Sequence, residues 1–147
     1  MLIYLDNCCY NRPYDDQSQD KIHFESEAIV AIVRKFKVSR HKILGSSAID
    51  FEVNKINDLF KRETVKAFYE NAISGKIKFN EIIKNRRLEL TVISNLRTLD
   101  AYHLAFAEYA NVDFLLTTDI KFEKACLKLN LKTRVLNPIT FLTGVMR

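Results

Sequence analysis

The sequence predicts an α/β fold: one domain with a central parallel sheet flanked by helices, in three α/β/α layers. Three observations predict it. Short runs such as Leu2-Ile3-Tyr4-Leu5 and Phe114-Leu115-Leu116 are apolar throughout, as strands buried on both faces of a parallel sheet are. The segments between them repeat apolar residues every three or four positions, the mark of amphipathic helices. Three Gly and two Pro in 147 residues are too few turn formers for a sandwich or barrel of many short strands. Alternating strands and helices build a parallel sheet through right-handed crossovers.

The first strand covers Leu2-Ile3-Tyr4-Leu5 and runs into Asp6. Asn11-Arg12-Pro13-Tyr14-Asp15-Asp16 reads as a loop, because Pro13 disfavours helical geometry at Arg12. Ile22, Glu25, Ala28, Ile29, Ile32, Val33 and Phe36 then mark a helix. Ile43-Leu44 forms a short second strand. Gly45-Ser46-Ser47 supplies a turn and N-cap candidates ahead of a helix carrying Ile49, Val53, Ile56 and Leu59. Two or three helical stretches occupy 62–90, and Val92-Ile93 reads as a brief extended segment. Leu99, Tyr102, His103, Phe106 and Ala110 define a helix over 98–110. Phe114-Leu115-Leu116 is a strand, 120–129 a helix and Arg134-Val135-Leu136 a strand. Asn137-Pro138 then turns the chain into a last helical turn at 139–142.

A chain of this length buries about 68–70% of its unfolded surface, and 48% hydrophobic residues supply the core. No repeat or linker divides residues 1–147. No apolar run approaches the roughly 20 residues of a membrane span, and the N-terminus lacks a basic segment followed by a long apolar stretch. A cytoplasmic location without membrane association is expected. Cys8 and Cys9 are adjacent and Cys126 is isolated, so zinc-type spacing is absent and reduced thiols are expected, with a redox role at Cys8-Cys9 the minor alternative.

Lys and Arg outnumber Asp and Glu by 23 to 18, for a net charge of +5. Basic residues cluster at Arg34-Lys35-Phe36-Lys37 with Arg40, His41 and Lys42, and again at Lys76, Lys78, Lys84, Arg86 and Arg87. An acidic pit within a basic surface suits a polyanion held through its phosphates.

Four acids are the candidates for that pit. Asp6 and Asp119 end strands; Glu52 and Asp100 stand in early turns of helices that follow a strand or a loop. In a parallel sheet these places share the carboxyl edge, where ligand crevices form. Each acid has an ordinary alternative: a loop acceptor for Asp6, a helix N-terminal role for Asp100, a cap for Asp119, and Asp50 as a rival to Glu52. Converging carboxylates repel one another and call for a divalent cation, and an oxygen-rich set selects Mg2+ or Mn2+. His103 shares the face of Asp100 and is expected to support the site rather than ligate the metal. No Ser-His-Asp or Cys-His arrangement and no phosphate-binding glycine loop competes.

Asp6 in Ile3-Tyr4-Leu5-Asp6-Asn7, Glu52 in Ser46-Ser47-Ala48-Ile49-Asp50-Phe51-Glu52, Asp100 in Leu99-Asp100-Ala101-Tyr102-His103-Leu104-Ala105 and Asp119 in Leu116-Thr117-Thr118-Asp119-Ile120-Lys121-Phe122 together resemble the signature of PIN-domain ribonucleases. That group includes the toxin halves of many prokaryotic toxin–antitoxin pairs. The resemblance spans nearly the whole chain, and the ordered set is more specific than any one motif. It implies a single PIN-like α/β/α domain, Mg2+- or Mn2+-dependent endonucleolytic cleavage of RNA at Asp6, Glu52, Asp100 and Asp119, homodimers and an antitoxin protein as partner. Thr117 matches a hydroxyl that the family often places beside the last acid, there to orient Asp119 or a water. Asn7 departs from the Thr or Ser common after the first acid. Arg12 lies outside the signature and is a candidate clamp on a substrate phosphate.

Two other classes compete. One is a catalytically weak nucleic-acid-binding or regulatory PIN-like module. The other is a receiver or phosphatase of similar build; there the position two residues after Asp6 is Cys8 rather than a second acid, and Asp15 and Asp16 lie too far along the loop.

Overall fold

Five short apolar segments assemble into one all-parallel sheet: β1 (Leu2–Leu5), β2 (Lys42–Ser46), β3 (Gly75–Ile77), β4 (Phe114–Leu116) and β5 (Arg134–Leu136), in the order β3-β2-β1-β4-β5. The computed structural model describes residues 1–146. Between β1 and β2 run α1 (Asn7–Asn11), a 3-10 turn (Arg12–Tyr14) and α2 (Asp20–Lys37). Then α3 (Ser47–Asn54) and α4 (Leu59–Ala72) lead to β3, and α5 (Glu81–Ile93) and α6 (Thr98–Tyr109) lead to β4. Finally α7 (Ile120–Leu127) joins β4 to β5, and α8 (Pro138–Gly144) follows β5.

The register explains the layers. Tyr4 lies beside Leu44 and Leu115, so all three point to one face, and Tyr4 reaches His103 on α6. Ile3 and Phe114 point to the other face, where Phe141 of α8 packs on Phe114 and on Phe36 of α2. The result is the three-layer α/β/α domain expected from the alternation. Ile3, Leu5, Ile43, Leu115 and Leu116 are fully or almost fully buried at its centre.

Strand order also determines where a ligand can bind. The chain moves outward from β1 through β2 to β3, then returns to the other side of β1 for β4 and β5. The connections diverge between β1 and β4, and an open parallel sheet has its crevice at the carboxyl ends of such a pair. Asp6 follows β1 there, and Thr117, Thr118 and Asp119 follow β4.

Five local readings change. The expected loop at 11–16 is mostly helical: Arg12 adopts αR geometry (φ −54°, ψ −42°) directly before Pro13. Tertiary bonds outweigh the steric preference, since the Arg12 guanidinium is tied to Glu25 and Asp15 and its carbonyl accepts from Ser26 Oγ. Gly45 lies within β2 rather than in a turn. A Cβ there would stand 2.4 Å from the Tyr69 hydroxyl, so the glycine is what lets α4 approach the sheet. Ser46 is the N-cap of α3, as expected, accepting from Ile49 N. The helix read through to Leu59 instead breaks after Asn54, and Asp58 caps a new helix through Lys61 N. Gly75-Lys76-Ile77 is an edge strand too short to show a pattern. Val92-Ile93 ends α5 rather than extending, because α5 is held against α6 through residues such as Leu90.

Candidate metal centre

Asp6 leaves β1 with its amide still bonded to Leu116 O at 2.9 Å, so the sheet itself fixes the start of this side chain. The carboxylate is only 8% exposed. Its Oδ2 accepts from Thr117 Oγ1 at 2.9 Å and from Cys8 Sγ at 3.2 Å. Thr117 Oγ1 in turn accepts from Asp119 N at 3.1 Å, which links the ends of β1 and β4 through one hydroxyl.

Glu52 reaches the same place from α3. The N-cap at Ser46 sets where this helix begins. Asn7 Nδ2 donates to Glu52 Oε2 at 3.4 Å, so Asn7 contacts the cluster. Asn7 Oδ1 is buried without a partner.

His103 lies between the two acids. Its Nε2 shares a hydrogen bond with Glu52 Oε1 and stands 3.5 Å from Asp6 Oδ1, and its side chain is 1% exposed. Nδ1 pairs with the Tyr4 hydroxyl at 2.7 Å, which pairs with Ser46 Oγ, also at 2.7 Å. One donor atom from each of Asp6, Glu52 and His103 falls within 4.8 Å of the others, close enough to hold one ion. Burial disfavours charging the imidazole. The Asp6 charge, the Glu52 bond and charge, and the Asp100 charge outweigh it, so the His103 pKa is raised.

Asp100 and Asp119 form the second half of the crevice. Asp119 caps α7, with Oδ1 accepting from Lys121 N and Phe122 N, while Oδ2 accepts from Arg97 Nη2 at 2.8 Å. Arg97 Nε donates to Asp100 Oδ2 at 3.3 Å. Burial and then the Asp6 charge push the Asp100 pKa to about 6, with Arg97 pulling it down. The Asp6 charge therefore reaches both Asp100 and Arg97.

Arg97 and Tyr4 were missed in the sequence. Arg97 had a local signal, standing three positions before Asp100 at the N-cap of α6. Tyr4 read only as a strand residue, and its partners lie 42 and 99 positions away. Arg12 pairs with buried Glu25 at 3.0 Å and with Asp15 at 3.3 Å, which ties the turn to α2. Asp50, the rival to Glu52, pairs with Lys76 at 3.2 Å outside the cluster.

The first basic cluster lies away from the acids. Arg34, Lys35 and Lys37 end α2 and Lys42 begins β2, at the amino edge of the sheet, opposite the crevice. Arg86 is engaged by Glu89 and Glu108, and Arg87 stacks over Tyr102. A cleft of about 700 Å³ beside Asp113, Lys132 and Arg134 also lies at the amino ends of β4 and β5 and shares no residue with the acids. No helix among the described residues is long and apolar enough to cross a membrane.

No protein-family model matches the chain, and no curated protein matches it significantly.

Proposed function

We propose that the chain is a divalent-metal-dependent endoribonuclease of the PIN type, with Asp6, Glu52, Asp100 and Asp119 around the metal and RNA as substrate. The observation that carries this reading is the convergence of Asp6 and Glu52 on His103 at the switch-point crevice, with Asp100 and Asp119 joined beside them through Arg97. The donor set fits a cation: Asp6 Oδ1 accepts no hydrogen bond among the described residues, and Asn7 Oδ1 is buried and unpaired next to Glu52.

A bound Mg2+ or Mn2+ would supply an activated water and stabilise the leaving oxygen of a phosphodiester. The protein's own part is positioning. Thr117 and Cys8 hold Asp6 Oδ2, so Oδ1 is presented to the crevice. Asn7 steadies Glu52. The Asp119 cap locks one of its oxygens and leaves the other facing Arg97. Arg97, with a side chain 77% exposed, stands at the mouth, where a substrate phosphate would compete for it. An antitoxin partner, homodimer formation and a toxin role belong to the same proposal.

The binding-module alternative draws support from one observation: Arg97 and His103 already neutralise the acids, as cations in a catalytically silent site would. Single-stranded RNA incubated with purified protein and Mn2+ separates the two. Cleavage by wild type that disappears in Asp6→Asn and Asp100→Asn is the expected result. Equal cutting by wild type and both variants would trace the activity to a contaminant and sink the enzyme reading.

A further inference from the structure

His103 is the least expected member of the cluster, because the sequence assigns it a supporting place and the structure puts its Nε2 among the carboxylate oxygens. Its other nitrogen is held from behind. Nδ1 and the Tyr4 hydroxyl are 2.7 Å apart, and Tyr4 is also bonded to Ser46 Oγ, which accepts from Ile49 N. In the tautomer where Nδ1–H donates to Tyr4 and Tyr4 donates to Ser46, the lone pair of Nε2 points at Glu52 Oε1 and Asp6 Oδ1. A lone pair and two carboxylate oxygens converge stably only around a proton or a metal cation, and with Nδ1–H held by Tyr4 the Nε2 atom is free to take the metal in place of the proton. A histidine whose remote N–H is fixed by a hydrogen bond is also the usual form of a metal-bound imidazole.

Resting on the proposed metal-dependent reading, we infer that His103 Nε2 is a direct metal ligand, so that Asp6, Glu52 and His103 form a mixed oxygen–nitrogen centre. Two consequences follow from the donor chemistry. An imidazole ligand favours Mn2+ and the later divalent ions over Mg2+, which prefers oxygen and water. Tyr4 becomes a positioning residue, holding the imidazole plane without touching the ion.

The test is spectroscopic and needs no turnover. Mn2+-loaded wild-type protein is examined by electron spin echo envelope modulation for coupling to imidazole 14N, with binding constants for Mn2+ and Mg2+ taken by calorimetry. His23→Ala/His41→Ala, which removes the two histidines outside the cluster, is expected to keep the 14N modulation. His103→Gln is expected to lose it and to bind Mn2+ at least about tenfold more weakly, with a smaller effect on Mg2+. Bound Mn2+ without nitrogen modulation in wild type and in the double variant overturns the inference and leaves the oxygen-ligated nuclease reading standing. Failure of wild type to bind either ion overturns both. Should His103→Gln not fold, the wild type and the double variant still decide, since His103 is the sole histidine they share.

Discussion

Arg97 Nη2 donates to Asp119 Oδ2 at 2.8 Å, and from the same guanidinium Nε donates to Asp100 Oδ2 at 3.3 Å. The two acids belong to different helices, so this one side chain closes the outer half of the crevice. It neutralises part of their charge and, on the proposed reading, would compete with a bound cation. The side chain is well exposed, so the pairing is worth only about 0.2–1 kcal/mol. Arg97→Ala is therefore expected to tighten Mn2+ binding by about two- to fivefold. Calorimetric titration checks this, and weaker binding in the variant would show that Arg97 organises the acids instead of competing for them.

Asp100 makes the metal-free protein sensitive to pH. Burial and the Asp6 charge move its carboxyl from 3.8 to about 6. Between those values the folded chain holds more protons than the unfolded one, so stability falls as pH rises through that window. His103 acts in the same direction at higher pH: its pKa is raised above 6.5, so its contribution is full below 6.5 and is lost as pH rises through the folded value. Thermal melts in chelator from pH 4 to pH 8 are expected to show this decline, apart from the effects of other groups.

Replacing Asp100 removes its share of the strain. The full shift at about 1.4 kcal/mol per pH unit is roughly 3 kcal/mol, reduced to about 1–2 kcal/mol because the carboxylate is partly open to water. In chelator at pH 7.5, Asp100→Asn is expected to melt about 2–8 °C above wild type. Added Mn2+ should narrow or reverse that gap, since the wild type alone keeps all the acids. A variant that melts lower in chelator would show that the carboxylate is not strained.

Gly45 controls how closely α4 sits on the sheet. Tyr69 is buried, and its hydroxyl bonds both Ser46 N and Ser46 O, so its ring cannot swing away from an added methyl group. Gly45→Ala is expected to cost about 1–3 kcal/mol by urea denaturation. Gly75→Ala is the control: its nearest atom, Leu44 Cδ2, would lie at an ordinary 3.8 Å from the added Cβ. Equal effects at the two positions would remove the steric argument.

Glu25 is a buried charge with complete partners. Its side chain is 0% exposed and accepts from Arg12 Nε at 3.0 Å and from Asn137 Nδ2. It joins the turn after α1, the α2 helix and the start of α8. Glu25→Ala leaves the guanidinium and the amide unpaired and is expected to destabilise the fold by about 3–5 kcal/mol. A loss under about 1 kcal/mol in chemical denaturation would mean that water replaces the carboxylate without strain.

The sequence by itself determined the alternation of strands and helices, because burial on both faces makes a parallel strand apolar throughout and amphipathic helices repeat every three or four residues. It also determined that Asp6 and Asp119 follow strands and that Glu52 and Asp100 stand early in helices, which are local facts. It misread Gly45 and the stretch 11–16, where α4 and Glu25 impose a geometry that local preference disfavours. Only the tertiary structure decided the membership of the site. His103 meets Glu52 across 51 positions, Tyr4 meets His103 across 99, and Thr117 meets Asp6 across 111. Those contacts depend on strand order and register, which bring β1 between β2 and β4 and aim Tyr4, rather than Ile3 or Leu5, at the helix that carries His103.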